Sequence, residues 1–348
     1  MASDLIRDWF TYVSTVRDLG EARSFLGMEL TVDKQRHTVT LTSSAKIAAM
    51  LDKYGVANTA VKYTPMPPKL VMLPAGFAGN NDVELTAQFP YRELVGALLY
   101  LAAWTRPDIA FAVSQLTRFS ERPTHTHWRV AKHVLAYLKG TASLGLCYSR
   151  DQGVVISTHT VHAASPTAGV SPAPADVLRF QEMTAPTVLS TAQPVGFVDA
   201  SWGEDVSSRR SQAAYVFVLA GAAVLWGTKL QQVVAQSSTE AEYLSLAWAV
   251  KDALFVRNIF NEVNSPQPPL KSITLLEDNQ SAMRSALNLE SSSRTRHIDI
   301  RHHLIRHHVQ SGDIRLQYVQ TAQQAADCLT KALDRVKVCE FRRVLLGC

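Results

Sequence analysis

The stretch QPVGFVDAS, residues 193–201, is a short apolar run that ends on an acid. A proline in front and the turn-forming SWGED behind bound it, as expected of a buried strand closed by Asp199. Working outward, AAYVFVLAGAAVLWGT (213–228) reads as a hairpin with Gly221 in its turn. QSSTEAEYLSLAWAVKDALF (236–255) opens a long helix that runs to about Asn261. SITLLED (272–278) is a second strand closed by an acid, Asp278. NQSAMRSAL (279–287) and HIDIRHHLIRHHVQSG (297–312) read as helices, IRLQYVQT (314–321) as a strand and AQQAADCLTKAL (322–333) as a helix. The order βββαβααβα predicts an α/β layer fold with a mixed sheet.

The first half reads differently. SFLGMELTVDKQRHTVTLT (24–42) forms two strands around a polar turn, and 43–55 forms a helix with Ile47, Met50, Leu51 and Tyr54 on one face. Residues 60–90 are loop-like. Three helical segments follow over 91–104, 107–119 and 126–139, and then a strand, LGLCYS (144–149). Trp104 and Trp128 are read as core. Residues 151–190, rich in Ala, Ser, Thr, Val and Pro, lack steady periodicity and read as a linker or insertion. The divisions are therefore 1–150, 151–190, 191–335 and a tail at 336–348.

Nearly half of the 348 residues are apolar (47%) and 19% are charged, which supplies a real core and argues against global disorder. The net charge of +5 is compatible with a polyanionic partner without demanding one. The four cysteines form no C-x-x-C pair, so neither a disulfide framework nor a zinc site is indicated. MASDLIRDWF has no apolar signal region, and no run of 18 apolar residues occurs, so an intracellular protein without membrane association is expected.

Asp199 and Asp278 end strands, where α/β sheets gather ligand groups. Glu242 lies in the first turn of the long helix and Asp327 in the final one. Converging carboxylates suit hard cations, which take oxygen ligands. Each acid also has an ordinary use. Aspartates form turns, and both Ser237-x-x-Glu240 and Thr239-x-x-Glu242 fit a capping box. Helical periodicity does not decide between Glu240 and Glu242. The stretch SRTRHIDIRHHLIRHH (293–308) carries four arginines and five histidines, open to a surface, nucleic-acid or metal role. Asn279, Gln280 and Ser281 open a helix beside Asp278 and serve either as caps or as phosphate and 2′-hydroxyl contacts. Arg92, Arg106, Arg118, Arg129, Lys132 and Lys139 of the first half either line a solvated face or meet a duplex backbone.

Several long segments resemble the C-terminal part of copia-type LTR retrotransposon Pol polyproteins. DLGEARSFLGMEL (18–30) is similar to the end of the reverse transcriptase palm. YRELVGALLYLAAWTRPDIAFAVSQLTRF (91–119) and HWRVAKHVLAYLKGTASLGL (127–146) are similar to its thumb and connection. GFVDASWGEDVSSRRSQAAYVFVLAGAAVLWGTKLQQVVAQSSTEAEYLSL (196–246), EDNQSAM, RTRHIDIRHHLIR and AADCLTKAL resemble the family's ribonuclease H domain in the expected order. The resemblance implies a ribonuclease H-like five-stranded mixed sheet with flanking helices, preceded by a mainly helical reverse transcriptase remnant over 1–150. It implies that Asp199, Glu242, Asp278 and Asp327 are catalytic and bind two Mg²⁺ ions, with Mn²⁺ as a substitute, to cut the RNA strand of an RNA–DNA hybrid. It makes Arg294, Arg296 and His297 contact candidates alongside Asn279, Gln280 and Ser281, and allows association with other polyprotein-derived chains. A Y-x-D-D segment is absent, so no polymerase activity is expected. The rival expectation is a non-catalytic nucleic-acid-binding or interaction module left from a truncated element.

Overall fold

The computed structural model describes residues 20–77, 81–150, 154–156, 158–162, 179–181, 187–189, 193–265, 267–287 and 299–347. The first half builds an antiparallel sheet from β1 (Ser24–Phe25), β2 (Met28–Asp33), β3 (Thr38–Thr42) and β4 (Leu146–Ser149). Against it pack the helices Ser44–Lys53, Tyr91–Trp104, Ala110–Thr117 and His125–Gly140. The buried positions Leu94, Leu98 and Leu101 follow the expected helical steps. Thr105 ends the helix just before Arg106, the residue restricted by Pro107. Trp104, expected in the core, is 42% exposed. It is the last residue of its helix and projects beyond the apolar stripe, while Trp128 is half-buried against Tyr54 and Phe89.

The second half is a sheet of mixed direction. β9 (Val195–Ser201), β10 (Gln212–Leu219) and β11 (Ala222–Leu230) form an antiparallel meander, and β12 (Ile273–Glu277) and β13 (Ile314–Val319) add in parallel beyond β9. The core order β11-β10-β9-β12-β13 is the five-stranded ribonuclease H-like sheet that the resemblance implies. β9 sits at its centre and is buried along its whole length. Gly196 is needed there because a Cβ would lie 2.6 Å from both Leu275 and Phe217, which close over it from the neighbouring strands. The long helix Ser238–Val263 covers one face with Tyr243, Leu246, Ala249, Val250 and Ala253 against Val198, Phe217, Ile273 and Leu275.

The 151–190 stretch, read as a linker or insertion, contributes strands. β6 (Thr158–His162) pairs antiparallel with β13, and β7 (Arg179–Gln181) pairs with β6, so the sheet has seven strands among the described residues. β5 (Val154–Ile156) and β8 (Thr187–Leu189) form a separate two-stranded ribbon. The expected tail at 336–348 is also corrected. Arg335–Leu346 is a helix capped by Asp334, whose carboxylate accepts from the Lys337 amide, and closed by Gly347 at φ 74°. Its Val338, Phe341, Leu345 and Leu346 are buried.

That last helix packs into an apolar core shared by both halves. The core runs from Leu98, Leu101 and Val113 to Val216, Ala222, Ala223, Leu329 and Phe341. Polar contacts cross the same boundary. Trp226 Nε1 donates to the Ala102 carbonyl at 2.8 Å, Tyr148 Oη to the Ala223 carbonyl at 2.7 Å, and Arg118 pairs with Asp205 at 2.6 Å. Nearby, the fully buried Arg106 donates to both oxygens of Asp108 at 2.9 and 2.7 Å and to the Thr141 carbonyl at 2.8 Å, while Tyr137 donates to Asp108 at 2.6 Å. A buried ion pair is tolerable only with such full satisfaction.

Candidate active site

Asp199 stands on central β9, opposite Ala214 of β10. It is 1% exposed. Ser245 of the long helix donates to the Asp199 carbonyl at 2.9 Å, fixing the strand, and the Thr330 hydroxyl donates to its carboxylate. Burial pushes the Asp199 carboxyl up to about 7; Lys331 pulls it down, and Asp327 and Asp278 add to the rise.

The two glutamates of the long helix stand in different surroundings. Ser237 caps it by accepting from the Glu240 amide at 3.1 Å, and Glu240 turns back to accept from the Gln236 amide at 2.7 Å. Glu240 is therefore the capping residue. Glu242 points inward, is 6% exposed, and its Oε2 has no hydrogen-bond partner among the described residues. Burial holds its carboxyl well above the usual range, and Glu277, Asp199 and Asp278 raise it further.

Asp278 follows directly on β12. One oxygen from each of Asp199, Glu242 and Asp278 lies within 4.8 Å of the others. Beside them is an acid that the motif reading passed over. Glu277 is fully buried; its Oε1 accepts from the Asn279 amide at 3.0 Å, and its Oε2 has no partner among the described residues. Burial, then Asp278, holds the Glu277 carboxyl well above the usual range. Strand alternation was the available signal, because Ile273, Leu275 and Glu277 share one face of β12 and the first two pack under the long helix.

Asp327 stands outside the trio. Its segment forms two short 3₁₀ turns, Thr321–Gln323 and Ala325–Leu329, where one helix was expected. Gln324 is the physical reason. Its backbone is extended at ψ 92°, and its side chain donates to the Val198 carbonyl at 2.8 Å, tying the turn to β9. Asp327 Oδ1 accepts from Lys331 Nζ at 2.8 Å, and the same ammonium lies 3.5 Å from Asp199 Oδ2.

The polar contact candidates divide. Asn279 caps the helix Gln280–Leu287 by accepting from the Ala282 amide at 3.0 Å, whereas Gln280 and Ser281 are exposed beside Asp278. Arg294, Arg296 and His297 lie outside the described residues. Of the histidines on the helix Asp299–Gln310, His308 pairs with Asp313 at 3.0 Å, and that carboxylate also receives Arg257 at 2.5 Å, which fixes the helix end. In the first half, Arg106 and Arg118 are committed to Asp108 and Asp205.

The donor set suits a hard divalent cation. The converging ligand atoms are all carboxylate oxygens, two buried carboxylate oxygens lack partners among the described residues, and burial, with mutual repulsion added, raises the protonation range of the cluster. Asp199, Glu242 and Asp278 could hold such an ion.

No family model matches the sequence. The chain is 30% identical over 336 residues, 95% of its length, to the retrovirus-related Pol polyprotein from transposon TNT 1-94 of Nicotiana tabacum, and spans 22% of that protein. It is 38% identical over 167 residues, 48% of its length, to secreted RxLR effector protein 161 of Plasmopara viticola, and spans 91% of it. Among solved structures, ribonuclease H1 of Halobacterium salinarum matches 40% of this chain and 94% of its own at 16% identity, with a TM-score of 0.30. Among the described residues, no helix is long and apolar enough to cross a membrane.

Proposed function

The chain belongs with the retrovirus-related Pol polyproteins of transposons, and from that premise we propose that its acid cluster hydrolyses the RNA strand of RNA–DNA hybrids with divalent cations. The observation that carries this reading is the meeting of Asp199, Glu242 and Asp278 within 4.8 Å, drawn from two strands and a helix. Paired magnesium ions, when bound, supply Lewis-acid charge to the attacking and leaving oxygens of a phosphodiester displacement. The chain's own residues position the oxygens that would hold them. Ser245 fixes the backbone of Asp199, and Thr330 orients its carboxylate. Asp327, which shares the Lys331 ammonium with Asp199, is assigned as the fourth acid. Gln280 and Ser281, exposed at a helix N-terminus next to Asp278, are assigned to the hybrid's sugar–phosphate edge.

The test is cleavage of an end-labelled hybrid by the purified full chain. Asp199→Asn, with two ligand oxygens reduced to a weaker amide, is expected to lower Mg²⁺-dependent cleavage at least about 10²-fold, the scale on which removal of one charge-stabilising group acts. Circular dichroism should remain unchanged. Absence of cleavage by wild type across Mg²⁺ and Mn²⁺ concentrations overturns the enzymatic reading. Salt-dependent hybrid binding without turnover would establish the non-catalytic module in its place.

A further inference from the structure

Among the described residues, the ion pairs of Asp199 and Asp327 run to one ammonium. Lys331 Nζ is 2.8 Å from Asp327 Oδ1 and 3.5 Å from Asp199 Oδ2. Its backbone is held to the same turn, since the Lys331 amide donates to the Asp327 carbonyl at 3.0 Å. The ammonium therefore sits between two carboxylates contributed by β9 and the Ala325–Leu329 turn. Among the described residues, no ammonium or guanidinium forms an ion pair on the opposite side of the cluster. There Glu242 and Glu277 each leave an oxygen without a partner among the described residues. The site is thus asymmetric, with an internal cation on one flank and bare buried acids on the other.

We infer that Lys331 is a built-in counterion that holds the Asp199–Asp327 flank closed until a divalent ion displaces it. The inference rests on reading the acids as a cation site. A magnesium ion takes oxygen ligands at about 2.0–2.1 Å, so an ion shared by Asp199 and Asp327 must take the oxygens that now face Nζ. The side chain has somewhere to go. Lys331 is 31% exposed, and it lines a 450 Å³ groove together with Ser201, Glu204 and Thr330. Glu204 offers a carboxylate on that wall. Two consequences follow. The first cation enters on the Glu242 and Asp278 side, where it breaks no ion pair and meets the Lys331 charge only at longer range. The second binds more weakly, because it must break the Lys331 pairs.

The experiment is Mn²⁺ titration of the full chain, followed by electron paramagnetic resonance and calorimetry. Wild type is expected to show a tighter and a weaker class of Mn²⁺. Lys331→Met should tighten the weaker class by about tenfold, the size of one modest charge contact, and leave the tighter class within about twofold. Without metal the variant should melt lower than wild type, and saturating Mn²⁺ should erase the difference. Lys331→Arg, which keeps the charge, should retain the weak class. Unchanged affinities in Lys331→Met overturn the inference, as does failure of that variant to fold even in saturating Mn²⁺. If wild type binds no Mn²⁺ at all, the cation-site reading itself falls.

Discussion

Replacing Glu242 by glutamine separates a ligand from a structural acid by the sign of its effect. The carboxylate is 6% exposed and one oxygen lacks a partner among the described residues. Without metal, that is a cost to the fold. Leaving a buried polar group unsatisfied costs about 1–3 kcal/mol, and more when it is charged. Glutamine keeps the shape, cannot ionise and offers an N–H to the unpaired oxygen of neighbouring Glu277. Unfolding entropy of roughly 2.1 cal/mol/K per residue makes a gain of about 2 kcal/mol worth a melting-temperature rise of about 3 °C for 348 residues. The gain depends on pH. The folded protein keeps a proton on Glu242 that the unfolded chain loses near 4.5, so wild-type stability falls as pH rises above that value. The variant lacks this slope, and its advantage should widen from pH 5 to pH 8. Differential scanning calorimetry in EDTA reads the stability, and hybrid cleavage in Mg²⁺ should collapse. Glu240→Ala is the control. It loses one exposed capping bond worth about 0.5–1.5 kcal/mol, so melting drops by a degree or two while cleavage persists. A Glu242→Gln protein that melts lower than wild type in EDTA, or that still cleaves hybrid, refutes the reasoning.

Magnesium should raise the melting temperature more at pH 8 than at pH 6: Asp199 holds a proton in the folded state up to about 7, ions compete with that proton, and a ligand at a hundred times its Kd adds about 2.7 kcal/mol. A shift independent of pH would mean that the ion binds elsewhere. Phe341→Ala, in the last helix and 3% exposed, should cost about 3–5 kcal/mol and lower a single calorimetric transition by about 4–7 °C. Two separate transitions, with only one of them moving, would show that the halves melt independently.

Part of the candidate site was legible in the chain because two of its acids close recognisable strands. Asp199 and Asp278 end apolar runs, and β9 and β12 form where those runs predict. The helix carrying Glu242 was readable from its caps, but periodicity could not choose between Glu240 and Glu242. That choice needed the bond from Gln236, a contact of the folded entry turn. Glu277 was hidden because a buried acid beside a motif aspartate looks like the end of a strand, although its alternation with Ile273 and Leu275 was visible. The turns around Asp327 were beyond local pattern, since Gln324 breaks the helix to reach a carbonyl 126 residues away in sequence. The last helix does carry apolar residues at helical spacing, Val338, Phe341 and Leu345, and reading it as a tail overlooked that period. β6 exists through pairing to β13 and β7 through pairing to β6, which no local alternation announces.

The common core has a bearing on how the sheet domain can be moved between proteins. A cassette cut at residues 191 and 335 would carry every acid of the cluster, yet it would bare Val216, Ala222 and Leu329 where the helical half and the final helix now lie. Its greasy flank would meet water or other copies of itself. The acid cluster and the helices before it thus stand on one material object, and a recombination that parts them must also replace the lost wall.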